Sequence, residues 1–155
     1  MTKILMVCLG NICRSPLADG ILKAKLPKNT FLVESAGTAN YHAGLQPDSR
    51  SIEVANNYGI DISHQRARQF VTSDFDKFDY IYAMDSSNFE NIMRVSRNDN
   101  DSSKVKLAYG HNVPLVNAYP SFEFVSLIVC EYGTVGSADP ASTLLPNANT
   151  KNFQS

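Results

Sequence analysis

Cysteine, histidine, long apolar runs and net charge are all scarce in this 155-residue chain. Three cysteines (Cys8, Cys13 and Cys130) are too few and odd in number for a disulfide framework, so free thiols are expected. His42, His64 and His111 are scattered, and no cysteine pair has the two-residue gap of a zinc site. No metal and no cofactor is implied, and the chemistry falls to side chains. No stretch approaches the length of a membrane span, and Met1-Thr2-Lys3 leads straight into a strand rather than a secretory apolar region. A cytoplasmic location is the default expectation. Fourteen basic and fifteen acidic residues leave a net charge of −1, which gives no reason to expect nucleic acid or a membrane as partner.

What is present is an ordinary globular composition, 43% hydrophobic and 19% charged, at a length that suits one domain with a substantial core. Apolar, β-branched runs predict strands at Lys3–Cys8, Thr30–Glu34, Asp79–Met84 and Val105–Leu107. Helical spacing appears between them. Leu17, Ile21, Leu22 and Leu26 predict a helix over Pro16–Leu26, with Ser15 as N-cap and Pro16 as its first residue. Two more are predicted at about Pro47–Asn57, stopped by Gly59, and at about Ser87–Arg97. Strands alternating with helices define the fold class: α/β, a doubly wound four-stranded parallel sheet with flanking helices. Ligands in such sheets bind beyond the carboxyl ends of strands, which is where Cys8 falls.

The segment Cys8-Leu9-Gly10-Asn11-Ile12-Cys13-Arg14-Ser15 carries the chemistry. A strand ending in a thiol, a tight loop and a helix N-terminus form a place to hold an oxyanion, because loop amides and helix dipole favour negative charge there. The same field stabilises a thiolate at Cys8. Such a thiolate attacks phosphorus and divides one hard hydrolysis into two easier steps. Amides from Leu9, Gly10, Asn11, Ile12 and Cys13 would cradle the equatorial oxygens, and the Arg14 guanidinium would fork onto two of them. Gly10 permits the turn, and Ser15 can give its hydroxyl to the thiolate.

Val7 through Pro16 closely resembles the signature loop of the low-molecular-weight protein tyrosine phosphatases. The likeness continues through Ser35-Ala36-Gly37-Thr38, Gly59-Ile60-Asp61, Ala67-Arg68-Gln69, Asp74-Phe75, Asp79-Tyr80-Ile81 and Met84-Asp85-Ser86-Ser87-Asn88, covering residues 1 to about 107. It implies a phosphatase loop at the end of the first strand, with Cys8 as nucleophile and Arg14 as phosphate clamp. It further implies hydrolysis of phosphotyrosine, on a protein or as a small aryl phosphate, through a phosphocysteine. Asn11, Ser35 and His64 would form a network holding the loop; apart from the resemblance, Ser35 reads as a turn residue and His64 as an exposed one. Ile12 and Tyr41 would wall the substrate ring, while Asp85 reads as a helix cap. Two readings of Cys13 stand side by side: a partner for reversible disulfide formation with an oxidised Cys8, and a small residue packed beneath the loop.

The chain changes character after Leu107. Residues 1–107 hold 25 of the 29 charged residues, and the remainder hold only Glu123, Glu131, Asp139 and Lys151. Three parts are expected: an α/β domain over 1–107, a divergent continuation over 108–133 with an apolar strand at Phe122–Cys130, and a flexible tail over 134–155. The family's late Asp-Pro-Tyr-Tyr segment supplies its general acid, yet the sequence after Pro114 reads Leu115-Val116-Asn117. Asp139-Pro140 is the only Asp-Pro, and it falls late and lacks the paired tyrosines. Two other functions are therefore carried forward. One is a phosphotyrosine-binding module with little turnover. The other is arsenate reduction, disfavoured because no cysteine lies between Cys13 and Cys130.

Overall fold

An uninterrupted apolar run is what a strand buried on both faces requires, and Ile4–Cys8 is such a run. In the computed structural model, which describes residues 1–108, these five residues are at most 3% exposed and sit mid-sheet. The elements in chain order are β1 (Thr2–Cys8), α1 (Arg14–Lys25), β2 (Phe31–Gly37), α2 (Ser49–Asn57), α3 (Asp74–Lys77), β3 (Tyr80–Ala83), α4 (Ser86–Arg94), α5 (Asp99–Lys104) and β4 (Val105–Leu107). All described strand pairs are parallel, in the order β2-β1-β3-β4. The expected four-stranded parallel α/β sheet is present. The expected strand at Phe122–Cys130, the continuation over 108–133 beyond Ala108 and the tail over 134–155 lie outside the described residues, as do His111, Cys130 and Asp139.

The period-two alternation of β1 divides the core. Ile4, Met6 and Cys8 point to the face covered by α1, where they join Ala18, Ile21, Leu22, Phe31 and Val33. Leu5 and Val7 point to the other face, with Phe75 of α3, Phe78 just beyond it, Ile81 of β3 and Ile92 of α4. Each fully buried side chain of this kind contributes roughly 1.5–3 kcal/mol of transfer free energy. Cys8 thus comes to lie on the α1 face at the end of a central strand. The chain leaves β1 for β2 on one side and later returns to β3 on the other, so the loop after Cys8 sits where the winding reverses.

Several boundaries differ from expectation. β2 runs on to Gly37, since Ser35 and Ala36 pair with Met6 and Val7. Helix α1 begins at Arg14 with Cys13 in the cap position and no side-chain cap bond. Ser15 is therefore not the N-cap, because its hydroxyl is drawn to Cys8 instead. Pro16 consequently stands third in the helix, within the first turn, where no intrahelical N–H is required of it. Asp48 caps α2 by accepting from the Arg50 amide, and Gly59 ends that segment with φ +72°. The short helices α3 and α5 carry too little periodicity to be read from sequence. Among the described residues, no helix is long and apolar enough to cross a membrane.

Candidate active site

The loop from Cys8 to Arg14 is held against the end of β2 by backbone bonds. Thr38 N donates to Cys8 O at 2.8 Å and Ala39 N to Leu9 O at 2.9 Å. This approach depends on Gly37: a Cβ there would lie 2.6 Å from Leu9 O and 3.0 Å from Asn11 N, both unyielding backbone atoms. Asn11, 2% exposed, takes φ +55°, a left-handed conformation that asparagine tolerates better than most residues. Such a backbone costs about 1–3 kcal/mol and persists only where the surroundings over-determine it.

The surroundings do so through four hydrogen bonds whose directions follow from donor chemistry. Arg68 N donates to Asn11 Oδ1 at 2.9 Å, which fixes the amide orientation. Asn11 Nδ2 then donates to Ser15 Oγ at 2.8 Å and to Ser35 Oγ at 3.0 Å. A hydroxyl has one proton, so Ser15 must accept from Asn11 and keep its own hydrogen for another partner. Cys8 Sγ lies 3.0 Å from Ser15 Oγ and also receives the Asn11 amide at 3.3 Å. The Ser15 hydrogen has two acceptors in reach, Cys8 Sγ and Ala36 O at 3.3 Å, and a thiolate at Cys8, as the charged one, would draw it beside the Asn11 backbone N–H. Ser35 stands on the α1 face of β2, the face of Cys8, and passes its hydrogen toward Gln65 Oε1 at 3.5 Å. Gln65 is itself held by donating to Pro16 O at 3.1 Å.

Arg14, the first residue of α1, turns its guanidinium to Asp85, with Nη1–Oδ2 at 2.7 Å. Asp85 also caps α4, accepting from the Asn88 amide at 2.7 Å. Burial pushes its carboxyl up, yet the Asn88 amide and Arg14 outweigh that and hold it below the ordinary carboxylate range. Cys8 and Arg14 open onto a cleft of about 260 Å³, walled by Ile12, Leu17, Tyr41 and Val54 and rimmed by His42 and the Asp48–Arg50 ion pair. Asp48 N donates to Ile12 O at 2.7 Å, joining this rim to the loop. The Arg50 guanidinium holds the Asp48 carboxyl below its usual range. Cys13, half-buried on the same cleft, has its thiol pushed up by burial and by the Asp48 carboxylate, against the Ser51 hydroxyl.

The sequence-predicted loop residues Cys8, Leu9, Gly10, Ile12, Cys13 and Arg14 all line this cleft, as does Tyr41, whereas Asn11 and Ser15 form the buried support behind it. His64 is a correction. It is exposed and borders a separate groove with Lys23 and Lys28, while its neighbour Gln65 occupies the network position. The signal lies in the polar run Ser63-His64-Gln65, where residue spacing does not choose between neighbours. The sequence carries no local mark of the parts played by Gly37, Gln65 and Arg68, whereas Pro47-Asp48 before a helix is a readable clue to Asp48. Asp85 was expected as a cap, and its second partner was not foreseen.

A parallel α/β sheet with a thiol and a guanidinium facing one cleft at its switch point defines an oxyanion-binding protein of the thiol type. The family model described as low molecular weight phosphotyrosine protein phosphatase matches residues 3–113. The chain belongs to that family. It is 50% identical over 103 residues to the Schizosaccharomyces pombe low molecular weight phosphotyrosine protein phosphatase, covering 61% of this chain and 65% of the relative. The Dictyostelium discoideum relative is 42% identical over 124 residues, covering 67% and 69%. The chain thus spans about two-thirds of the length of these curated relatives. Its fold matches the low molecular weight protein tyrosine phosphatase of Streptococcus pyogenes with a TM-score of 0.68 at 34% identity, covering 83% of this chain and 86% of that one. An Entamoeba histolytica protein tyrosine phosphatase matches with a TM-score of 0.67 at 32% identity, covering 83% and 90%.

Proposed function

We propose that this chain hydrolyses phosphotyrosine or aryl phosphate monoesters, on a protein or as small molecules, in the cytoplasm. The carrying observation is the pair of groups placed to donate to a Cys8 thiolate: the Ser15 hydroxyl, its oxygen 3.0 Å from the sulfur, and the Asn11 backbone N–H at 3.3 Å. Cys8 attacks phosphorus as a thiolate, forming an S–P bond as the P–O bond to the aryl group breaks. Water then attacks the phosphocysteine, releasing inorganic phosphate and restoring the thiolate, which the Ser15 hydroxyl stabilises as leaving group. Backbone amides from Leu9 to Cys13 hold the equatorial oxygens. Arg14 swings from Asp85 to fork onto two of them. Ile12 and Tyr41 flank the aryl ring. Cys13 faces the same cleft, with its thiol pushed up by burial.

The aryl oxygen needs a proton as it leaves, and the sequence after Pro114 lacks the Asp-Pro expected there. A missing general acid costs about 10²–10⁴-fold for a poor leaving group and less for an activated one. Rapid-quench measurement of the phosphocysteine with p-nitrophenyl phosphate tests the reading. Turnover on that ester that exceeds turnover on phosphotyrosine peptides, lost in Cys8→Ser, is expected. Failure of Asp139→Asn to alter either rate excludes Asp139 as the acid. The same missing segment favours a second reading, a phosphotyrosine-binding module. Tight peptide binding with no phosphocysteine at any time point would decide for it.

A further inference from the structure

We infer that Arg68 is a positioning residue for the phosphate loop, fastening Asn11 from outside the loop through its fork onto Asp74. The inference rests on the proposed role of Cys8. Backbone and side chain of Arg68 work on opposite faces of the sheet edge. Its N–H holds Asn11 Oδ1 at 2.9 Å, and its carbonyl accepts from Gly37 N at 2.8 Å. Phe70 N then donates to Gly37 O at 2.7 Å, so the segment adds to the end of β2 as a short parallel bridge. The guanidinium reaches the other face, donating to Asp74 from Nη1 at 3.0 Å and Nη2 at 3.1 Å. Asp74 is 5% exposed and also receives the Val71 amide at 2.9 Å. Glu34, on β2 beside Ser35, lies 3.5 Å from the same guanidinium.

A bidentate fork fixes the plane of a guanidinium, and the acid it grips is buried although the Arg68 side chain is itself part-exposed. The Arg68 N–H is therefore presented at a fixed point, and together with Ser35, whose hydrogen goes to Gln65, it sets which end of the Asn11 amide faces Ser15. Once Arg68 slackens, the strained Asn11 backbone relaxes, and with it go the Asn11 N–H to Cys8 and the Nδ2 bond that orients Ser15. The competing account is that Arg68 only stabilises the segment around Asp74. Arg97 is a matched control: it donates to Asp101, 1% exposed, at 2.8 and 3.1 Å, and to Asp76, without binding Asn11.

The test compares wild type with Arg68→Met, Asp74→Asn and Arg97→Met, reading iodoacetate alkylation of Cys8 at pH 6 and steady-state kinetics on p-nitrophenyl phosphate. All measurements are made well below each variant's Tm. Arg68→Met and Asp74→Asn are expected to alkylate about five- to tenfold more slowly, the effect of losing one directed hydrogen bond, with kcat falling more than KM rises. Arg97→Met is expected to melt earlier but to alkylate at the wild-type rate. Wild-type alkylation rates in folded Arg68→Met or Asp74→Asn would overturn the inference. Should Arg68→Met not fold, Asp74→Asn decides alone, since asparagine keeps an oxygen for the Val71 amide. If wild-type Cys8 is not alkylated ahead of Cys13, the nucleophile reading fails, and the inference is overturned with it.

Discussion

Arg14 Nη1 lies 2.7 Å from Asp85 Oδ2, which ties the loop after β1 to the cap of the helix after β3. Both strands end at the same level of the sheet, with Val7 beside Ala83, so their following residues meet above it. The pair gives the guanidinium a resting place at the edge of the cleft. Asp85 is held in turn by the Asn88 backbone N–H and, with the Asn88 side chain turned nitrogen-inward, by its Nδ2, which lies 3.1 and 3.2 Å from the two carboxylate oxygens.

Asp85 makes acid stability depend on this contact. Its carboxyl is held below the unfolded value, so the stabilisation is present above that value and is lost as pH falls through the lower, folded one. Asp85→Asn is expected to flatten the Tm profile below about pH 4 while leaving the profile at pH 7 nearly parallel to wild type. Circular dichroism melts across that range check it; an unchanged acid limb contradicts the assignment.

Arg14→Lys is expected to lower kcat/KM on aryl phosphates by about 10²–10³-fold, because an ammonium cannot grip two oxygens at once. Stability should change by less than about 1 kcal/mol, since the ion pair with Asp85 is partly exposed. Kinetics and melting of the same preparation separate the two effects. A loss of only a few-fold would mean the guanidinium is not the clamp.

Gly37→Ala drives a methyl to within 2.6 Å of Leu9 O. Something must move, and the loop is the softer partner beside two paired strands. A loss of about 1–3 kcal/mol in stability is expected, with more than tenfold loss of turnover. Urea titration with parallel assays measures both, and wild-type turnover in a folded variant would show the loop does not need this approach.

Asp19 carries the opposite pH signature from Asp85. It is buried in α1, and burial pushes its carboxyl up against the pull of Lys23, 2.8 Å away. A folded-state value above the unfolded one means stability falls as pH rises from the ordinary carboxylate range through the raised value. Asp19→Asn should remove that decline, giving a flatter Tm profile above about pH 4. Retention of the wild-type slope would assign the decline to another group.

The amino-acid sequence by itself determined the sheet, its strand alternation and the reactive loop. Those follow from local signals: a buried strand needs the run Ile4–Cys8, and an oxyanion loop needs a thiol and a guanidinium about one short loop apart. Of the polar residues that support the loop, Asn11 and Ser35 were legible through the family resemblance, and the rest were decided only by tertiary structure. Gln65 rather than His64 reaches Ser35, and Arg68 N–H fixes Asn11, because residues far apart in sequence converge where β2 ends. Hydrogen bonds tighten or fail within tenths of an ångström, whereas residue spacing places a loop side chain no better than one position either way. Gly37 and the second partner of Asp85 were hidden for the same reason, since close approach between separate strands leaves no periodic mark in the chain.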